Sequence, residues 1–198
     1  MLRELQKQQT RQLLLEKGLE VIETKGYVAT TIDDIAAAAG TTRTTFYLHF
    51  PSKAELMSEL LRKVDEILTQ DDDPQLSTVV ELGERHLVRA WLDRKFDQWA
   101  IIRLYIMAAH DAAPSEPEIA ESIEKWYEDT TAWMQQGLDR AGRFDPDTRR
   151  IRCTLAFGQF EFLSRRWFRL GWVTDRGICL ETLTDSWCQL LTEETSSR

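Results

Sequence analysis

The chain has 198 residues, of which 42% are hydrophobic and 29% are charged, with only nine glycines and five prolines. This composition excludes disordered and collagen-like chains and is typical of one large globular domain or two small ones. The formal net charge of −8 argues at first against a nucleic acid as partner.

The charge is unevenly distributed along the chain. Up to Val64 there are nine Lys and Arg against eight Asp and Glu, whereas the remainder has sixteen against twenty-five. A nearly neutral N-terminal third is compatible with a polyanion contact there but does not demand one. The polar start lacks the apolar core of a signal peptide, and no apolar run approaches the ~20 residues of a membrane span. We therefore expect a cytoplasmic protein with no membrane contact.

Two helices are predicted before residue 40. Apolar residues at three- and four-residue spacing predict a first helix that ends at Lys25, before Gly26. Thr31 precedes a short second helix, where its hydroxyl can accept hydrogen bonds from free backbone amides. Gly40 ends that helix.

Two more helices follow before a charged boundary. Thr42 can cap a third helix that extends through His49, and Ser52 with Glu55 forms a capping box for a fourth that ends near Thr69. The run of three aspartates and a proline at 71–74 cannot easily continue a helix. We predict a helix-turn-helix domain at 1–53, a connecting helix at 54–70 and a larger helical body at 75–198.

About five further helices are predicted in the body. Their segments are 76–96, 98–110, 116–140, 147–170 and 175–192. No stretch shows strand alternation, so the predicted fold class is all-α.

The segment from Gly26 to Leu56 carries the most specific pattern, GYVATTIDDIAAAAGTTRTTFYLHFPSKAEL. Two short helices joined at Gly40 give a helix-turn-helix, whose second helix presents polar and basic side chains suited to base edges and phosphates. The segment resembles the signature of TetR-type bacterial transcriptional regulators, G-Y…T-T-x-x-x-I-A…A-G…F-Y…H-F-x-S-K-x-x-L. The resemblance covers about the first sixty residues. It implies a three-helix DNA-binding head, a helical body that binds a ligand, and a homodimer formed through the last two helices.

The resemblance assigns DNA contacts to individual residues. The predicted base-reading residues at the start of the third helix are Thr42, Arg43, Thr44 and Thr45. An arginine can bind guanine through two hydrogen bonds, and threonine methyls can contact thymine. The predicted phosphate contacts are Thr31, Tyr47, His49 and Lys53. Thr44 stands where the family often has glycine, so the operator sequence does not follow from the resemblance.

Enzymatic chemistry lacks residues to perform it. A di-iron bundle needs Glu-x-x-His, but the residues three before the three histidines are Phe46, Gly83 and Met107. No G-x-S-x-G, H-E-x-x-H, P-loop or G-x-G-x-x-G motif is present. We expect no catalytic residue, no metal and no cofactor. A helical protein-interaction module without specific DNA binding remains the alternative function.

The body is rich in aromatic residues, and about two thirds of them are expected to be ordinary core. The predicted wall of an effector cavity consists of Trp91, Trp99, Arg103, Tyr105, Trp126, Trp133 and Phe160. These side chains favour a small apolar or aromatic effector. Arg103 lies among apolar residues and needs a partner, either Glu161 or the ligand itself. We favour the internal ion pair.

Apolar stripes on the last two helices are the predicted dimer interface. The predicted residues are Phe157, Ser164, Trp167, Leu183, Trp187 and Leu190. Both stripes are equally compatible with the core of one subunit. The sequence thus predicts a dimeric, ligand-responsive repressor that binds a near-palindromic site on double-stranded DNA.

Overall fold

The computed structural model describes residues 2–70 and 72–192, and every regular element in those ranges is an α-helix. The helices are α1 (Leu2–Lys25), α2 (Ile32–Ala38), α3 (Arg43–Tyr47), α4 (Lys53–Thr69), α5 (Leu76–Leu82), α6 (Arg85–Ala112), α7 (Pro117–Ala141), α8 (Pro146–Leu170) and α9 (Arg176–Leu191). The predicted all-α fold with an N-terminal helix-turn-helix is confirmed.

The predicted N-caps and C-terminal glycines of the first helices are also confirmed. Gly26 and Gly40 take φ values of 80° and 64°, a left-handed conformation that glycine adopts without steric cost. Thr31 and Thr42 are the N-caps of α2 and α3. The backbone N–H of Glu55 donates to the hydroxyl of Ser52 over 3.0 Å at the start of α4. The third helix is shorter than predicted, since it ends at Tyr47 rather than at His49.

One predicted helix boundary is wrong. The expected break at Asp97 does not exist, because α6 continues through it, and the break lies instead at Gly83. Gly83 ends α5 with φ 66°, and its N–H donates to the carbonyl of Val79. Asp97 lies on the surface of α6 and pairs with Arg176 over 2.6 Å.

The chain forms two compact units. The first consists of Met1–Ile67 with Ile102–Glu124, and the second of Leu68–Ile101 with Lys125–Arg198. The units group the chain differently from the three segments 1–53, 54–70 and 75–198, which remain a prediction about domains. The long helices α6 and α7 each contribute to both units.

The first unit encloses one apolar core. Its largest fully buried members come from α1, α2, α3 and α4 and from the loops that follow α1 and α3, and include Leu14, Tyr27, Ile35, Phe46, Phe50 and Leu56. Ala109 of α6 and Ile119 of α7 belong to the same core. The short helices α2 and α3 are therefore fixed by tertiary packing, since helices of five to seven residues are not stable alone. None of the described helices combines the length and apolarity that crossing a bilayer requires.

Candidate nucleic-acid interface

The start of α2 is closed by a reciprocal capping box. The hydroxyl of Thr31 accepts from the N–H of Asp34 over 3.1 Å, and Oδ2 of Asp34 accepts from the N–H of Thr31 over 3.0 Å. Lys25 donates to the other carboxylate oxygen of Asp34 over 2.6 Å. The Lys25 ammonium, followed by the bonds from Thr31, holds the pKa of Asp34 well below its ordinary value. Thr31 is exposed but has a fixed orientation.

The exposed face of α3 presents the predicted base-reading residues. Thr42, Arg43 and Thr44 are exposed, and Thr45 is half-buried. The hydroxyl of Thr42 accepts from the N–H of Thr45 over 3.2 Å, which defines the first turn. Phe46 lies behind this face at 0% exposure. The helix thus has a rigid apolar back and a polar front.

Arg43 is held in place by two neighbours. Its guanidinium donates to Asp33 Oδ2 over 3.0 Å and to the hydroxyl of Tyr47 over 3.3 Å. It also lies 5.6 Å from the centroid of the Tyr47 ring. The sequence did not indicate Asp33 as part of this site, because a carboxylate in the first turn of a helix is also favoured by the helix dipole.

Lys53 has a role inside the unit. Its ammonium donates to the carbonyls of Tyr27 and Thr30 over 2.6 and 2.8 Å and lies 4.0 Å from the centroid of the Tyr27 ring. Burial lowers the pKa of Lys53 from its ordinary value, although Glu116 and Asp111 oppose that shift. These bonds fix the loop between α1 and α2. Lys53 therefore positions this loop, a role that the sequence did not indicate.

His49 follows α3 and is half-buried. Its Nδ1 atom is inaccessible to solvent and has no hydrogen-bond partner among the described residues. Burial, followed by the charges of Lys7 and Arg11, lowers the pKa of His49 below its ordinary value. Both effects favour the neutral form of the imidazole.

The residues predicted to bind an effector are divided between the two compact units. Arg103 and Tyr105 belong to the first unit, whereas the other five belong to the second. Both are half-buried, and Tyr105 borders a shallow groove of about 210 Å³ together with residues of α1 and α4. Glu161, one of the two partners considered for Arg103, forms an ion pair with Arg165 on its own helix.

The second unit brings three of the predicted aromatic residues into contact. Phe160 lies 5.9 Å from Trp91 and 5.5 Å from Trp99, measured between ring centroids, and all three are buried. Trp126 is half-buried against Phe157, with ring centroids 5.2 Å apart. Trp133 is separate from the buried group, because 45% of its surface is exposed.

The predicted dimer residues mostly face the interior of the second unit. Phe157, Ser164, Leu183 and Trp187 are buried, and Trp167 and Leu190 are half-buried. The indole N–H of Trp187 donates to the carbonyl of Ala156 over 2.8 Å. The exposed apolar residues of α8 and α9 are different ones, namely Ile151, Leu155, Phe162, Leu170 and Ile178.

No group of three His, Cys, Asp or Glu side chains suited to hold a metal ion occurs in the part of the chain that the structure describes. The three cysteines are all free thiols.

Comparison with known proteins identifies several relatives of this chain. A family profile described as bacterial regulatory proteins, tetR family, matches residues 14–60. The transcriptional regulator EthR of Mycolicibacterium smegmatis is 27% identical over 141 residues, which cover 68% of this chain and 63% of that protein. The regulator AcrR of Shigella flexneri is 42% identical over 53 residues, or 27% of this chain and 25% of AcrR. The matched regions thus span less than two thirds of these relatives, which are named as transcriptional regulators and not as enzymes.

Solved structures share the whole fold. NalD, described as the secondary repressor of the MexAB-OprM multidrug efflux pump in Pseudomonas aeruginosa, has a TM-score of 0.68 and 22% identity, covering 94% of this chain and 98% of NalD. A TetR-like regulator from Rhodococcus sp. RHA1 also has a TM-score of 0.68, with 19% identity and coverage of 93% and 97%. At these identities the likeness establishes the fold.

Proposed function

We propose that this chain, whose residues 14–60 match the family profile described as bacterial regulatory proteins, tetR family, is a cytoplasmic DNA-binding transcriptional repressor that responds to a small ligand. The observation that carries the proposal is the exposed face of α3, where Thr42, Arg43 and Thr44 project from a helix with a buried apolar back. A short, rigid helix with this face fits the major groove of DNA.

Base recognition rests mainly on Arg43. A guanidinium already oriented by Asp33 and Tyr47 loses little side-chain freedom when it binds the O6 and N7 atoms of a guanine. The methyl groups of Thr44 and Thr45 would contact thymine. Thr31 and Tyr47 hold backbone phosphates on either side and so fix the register.

A specific site requires two copies of the chain. In two-fold dimers the recognition helices lie about 34–36 Å apart and read a near-palindrome. We place the interface on the exposed face of α8 and α9, because Ile151, Leu155, Phe162 and Ile178 are each more than half exposed in one subunit. Such a set of large apolar side chains on two adjacent helices is typical of a surface that a partner covers.

The effector is proposed to bind in the second unit. Trp91, Trp99 and Phe160 supply the apolar and aromatic surface that favours an aromatic ligand. Their rings are in contact, so binding must separate them. A ligand that binds the conformation with separated rings more tightly than the conformation with rings in contact shifts the protein toward the former. The affinity for DNA then falls, and the size of the fall is set by the ratio of the ligand's affinities for the two conformations.

Sequence-specific DNA binding is tested by selecting the genomic DNA fragments that the protein binds. Purified protein is mixed with fragments of its source genome, and bound fragments are sequenced after several rounds. We expect enrichment of one near-palindromic sequence whose half-sites are one helical turn apart. Enrichment of no common sequence would favour a helical protein-interaction module without specific DNA binding.

The effector proposal is tested by measuring whether ligand and DNA weaken each other's binding by the same factor. Tryptophan fluorescence is titrated with aromatic hydrocarbons, phenols and aromatic carboxylates, with and without saturating selected DNA. We expect a compound that binds more weakly in the presence of DNA, and that weakens DNA binding by the same factor. A compound that binds equally tightly in both cases would show that its site does not regulate DNA binding.

A further inference from the structure

Arg94, in the middle of α6, has a guanidinium with unused donors. Its Nε and Nη2 atoms are inaccessible to solvent and donate to no acceptor in residues 2–70 and 72–192. The side chain is half-buried, and no carboxylate in these ranges forms an ion pair with it. A buried donor without an acceptor is costly, and the cost is greater when the donor carries a charge. Arg94 therefore needs an acceptor that the described chain does not supply.

The two unused nitrogens lie on the same edge of the guanidinium. Nη2 is the terminal nitrogen trans to Cδ, so one of its N–H groups runs parallel to the N–H of Nε. This edge is a fork that binds both oxygens of one carboxylate at once. The missing acceptor is therefore best supplied by a carboxylate.

The next residue on the helix adds a second cation. Lys95 is 6% exposed, and its ammonium donates to the carbonyl of Leu68 over 2.6 Å and pairs with Asp72 over 3.1 Å. Burial lowers the pKa of Lys95, although Asp72 opposes that shift, and the charge of Arg94 adds to the lowering. Two cations thus share one carboxylate, so one further negative charge would neutralise the group.

The other carboxylates of this stretch of α6 are already paired. Asp93 and Asp97 each accept from Arg176 over 2.6 Å. Neither forms an ion pair with Arg94 in the part of the chain that the structure describes. The unmatched positive charge therefore stays with Arg94.

Trp91 supplies apolar surface next to this charge. Residues three apart on a helix are neighbours on its surface, and a helical side chain leans toward the preceding turn, so Arg94 extends toward Trp91. The Trp91 ring lies 5.9 Å from Phe160 and 5.5 Å from Trp187, measured between centroids. Its indole N–H donates to Asp72 over 2.8 Å. Trp91 therefore connects the aromatic group of the second unit to the charged group around Lys95.

We propose that Arg94 binds the carboxylate of the effector through its Nε and Nη2 edge, and that the effector is an aromatic monocarboxylate whose ring lies beside Trp91. The inference rests on the proposed effector binding in the second unit and names the chemical class of that effector. One negative charge completes the local balance, so a neutral aromatic compound leaves the guanidinium unpaired.

Calorimetric titration tests the role of the carboxylate directly. Benzoate, 2-naphthoate and indole-3-acetate are each compared with the corresponding primary amide, which has a similar shape but no charge. We expect at least one carboxylate to bind wild-type protein about tenfold or more tightly than its amide. A panel in which no carboxylate binds more tightly than its amide would overturn the inference.

Two variants assign the preference to one residue. Arg94→Gln should bind the carboxylate and its amide equally, with the amide affinity of wild type. Arg89→Gln is the matched control, because Arg89 lies on the same helix but donates to Glu181 over 2.6 Å. It removes the same charge and should retain the preference for the carboxylate. A preference that survives in Arg94→Gln would show that another residue binds the carboxylate.

Thermal unfolding without ligand tests whether Arg94 is unpaired in the folded protein. Arg94→Met keeps the length of the side chain but removes the buried charge, so its midpoint should be higher than that of wild type by about 2–4 °C. A lower midpoint would show that the guanidinium stabilises the fold, which contradicts the inference.

The results separate this inference from the proposed function. If a compound lowers the affinity for the selected duplex but carboxylates show no preference that depends on Arg94, the inference is wrong and the proposed function stands. If a carboxylate binds through Arg94 without changing DNA affinity, Arg94 is a carboxylate ligand and the proposed ligand response fails. Equal wild-type affinities for the selected duplex and a scrambled duplex would reject the DNA-binding function, whatever Arg94 binds.

Discussion

The backbone N–H of Tyr27 donates a hydrogen bond of 2.5 Å to Oδ2 of Asp111, a residue 84 positions later in the chain. The hydroxyl of the same tyrosine donates to Glu116 over 2.9 Å, and Tyr27 itself is 1% exposed. Burial and the bond to Glu116 raise the pKa of Tyr27 above its ordinary value. The loop that precedes the helix-turn-helix is thus anchored to the last turn of α6 and the start of α7.

This anchor predicts that Asp111→Ala destabilises the first unit. The buried N–H of Tyr27 would lose its acceptor, which costs about 1–3 kcal/mol of unfolding free energy. Glu121→Ala is the control, because Glu121 is exposed on α7. Urea denaturation measures both variants, and hydrogen exchange at the Tyr27 amide should accelerate only in Asp111→Ala. Equal stability of the two variants would show that the bond contributes nothing.

The capping box of α2 predicts a dependence of stability on acid. The folded-state pKa of Asp34 lies below its ordinary value of 3.8, so the unfolded chain binds the proton more tightly. The stability that Asp34 contributes is therefore present above about pH 4 and is lost as the pH falls through the folded-state pKa. Asp34→Asn should be less stable than wild type at pH 7 and should lose less stability between pH 5 and pH 2. Denaturation at these three pH values measures the difference, and parallel curves for the two proteins would refute it.

Because Arg43 forms an ion pair with Asp33, we expect substitutions of the two residues to change DNA binding in different ways. Arg43→Ala should lower the preference for the selected over the scrambled duplex by about 1–3 kcal/mol, since a bidentate base contact is lost. Asp33→Asn removes a negative charge from the DNA-facing surface and should tighten binding to the scrambled duplex. Anisotropy titrations with both duplexes measure the ratio. If Arg43→Ala weakens both duplexes equally, Arg43 contacts phosphates and not bases.

The exposed apolar face of α8 predicts where a dimer can be broken. Leu155→Glu combined with Phe162→Glu should give folded monomers in light scattering, because both side chains are more than half exposed in one subunit. Leu82→Glu, at a residue 51% exposed at the end of α5, should remain dimeric. Trp187→Glu should instead unfold the second unit, since the indole is 0% exposed. A dimeric double variant would place the interface elsewhere.

Local signals were sufficient for the helix-turn-helix and insufficient for the contacts around it. Threonine caps and glycine stops act within a few residues, so Thr31, Gly40 and Thr42 could be assigned from the sequence. The break at Gly83 was missed because the apolar period of α5 runs on toward α6. Apolar stripes on α8 and α9 serve equally for a core and an interface, and only the fold shows that Trp187 is interior. The Tyr27–Asp111 bond joins residues too far apart for any local pattern to reveal.

The most direct measurement is the ratio of wild-type affinities for the selected near-palindromic duplex and for a scrambled duplex of the same length and composition, at 150 mM salt. A repressor that reads bases through α3 should bind the selected duplex at least about 10³-fold more tightly. Equal affinities for the two duplexes would contradict sequence-specific DNA binding by this chain.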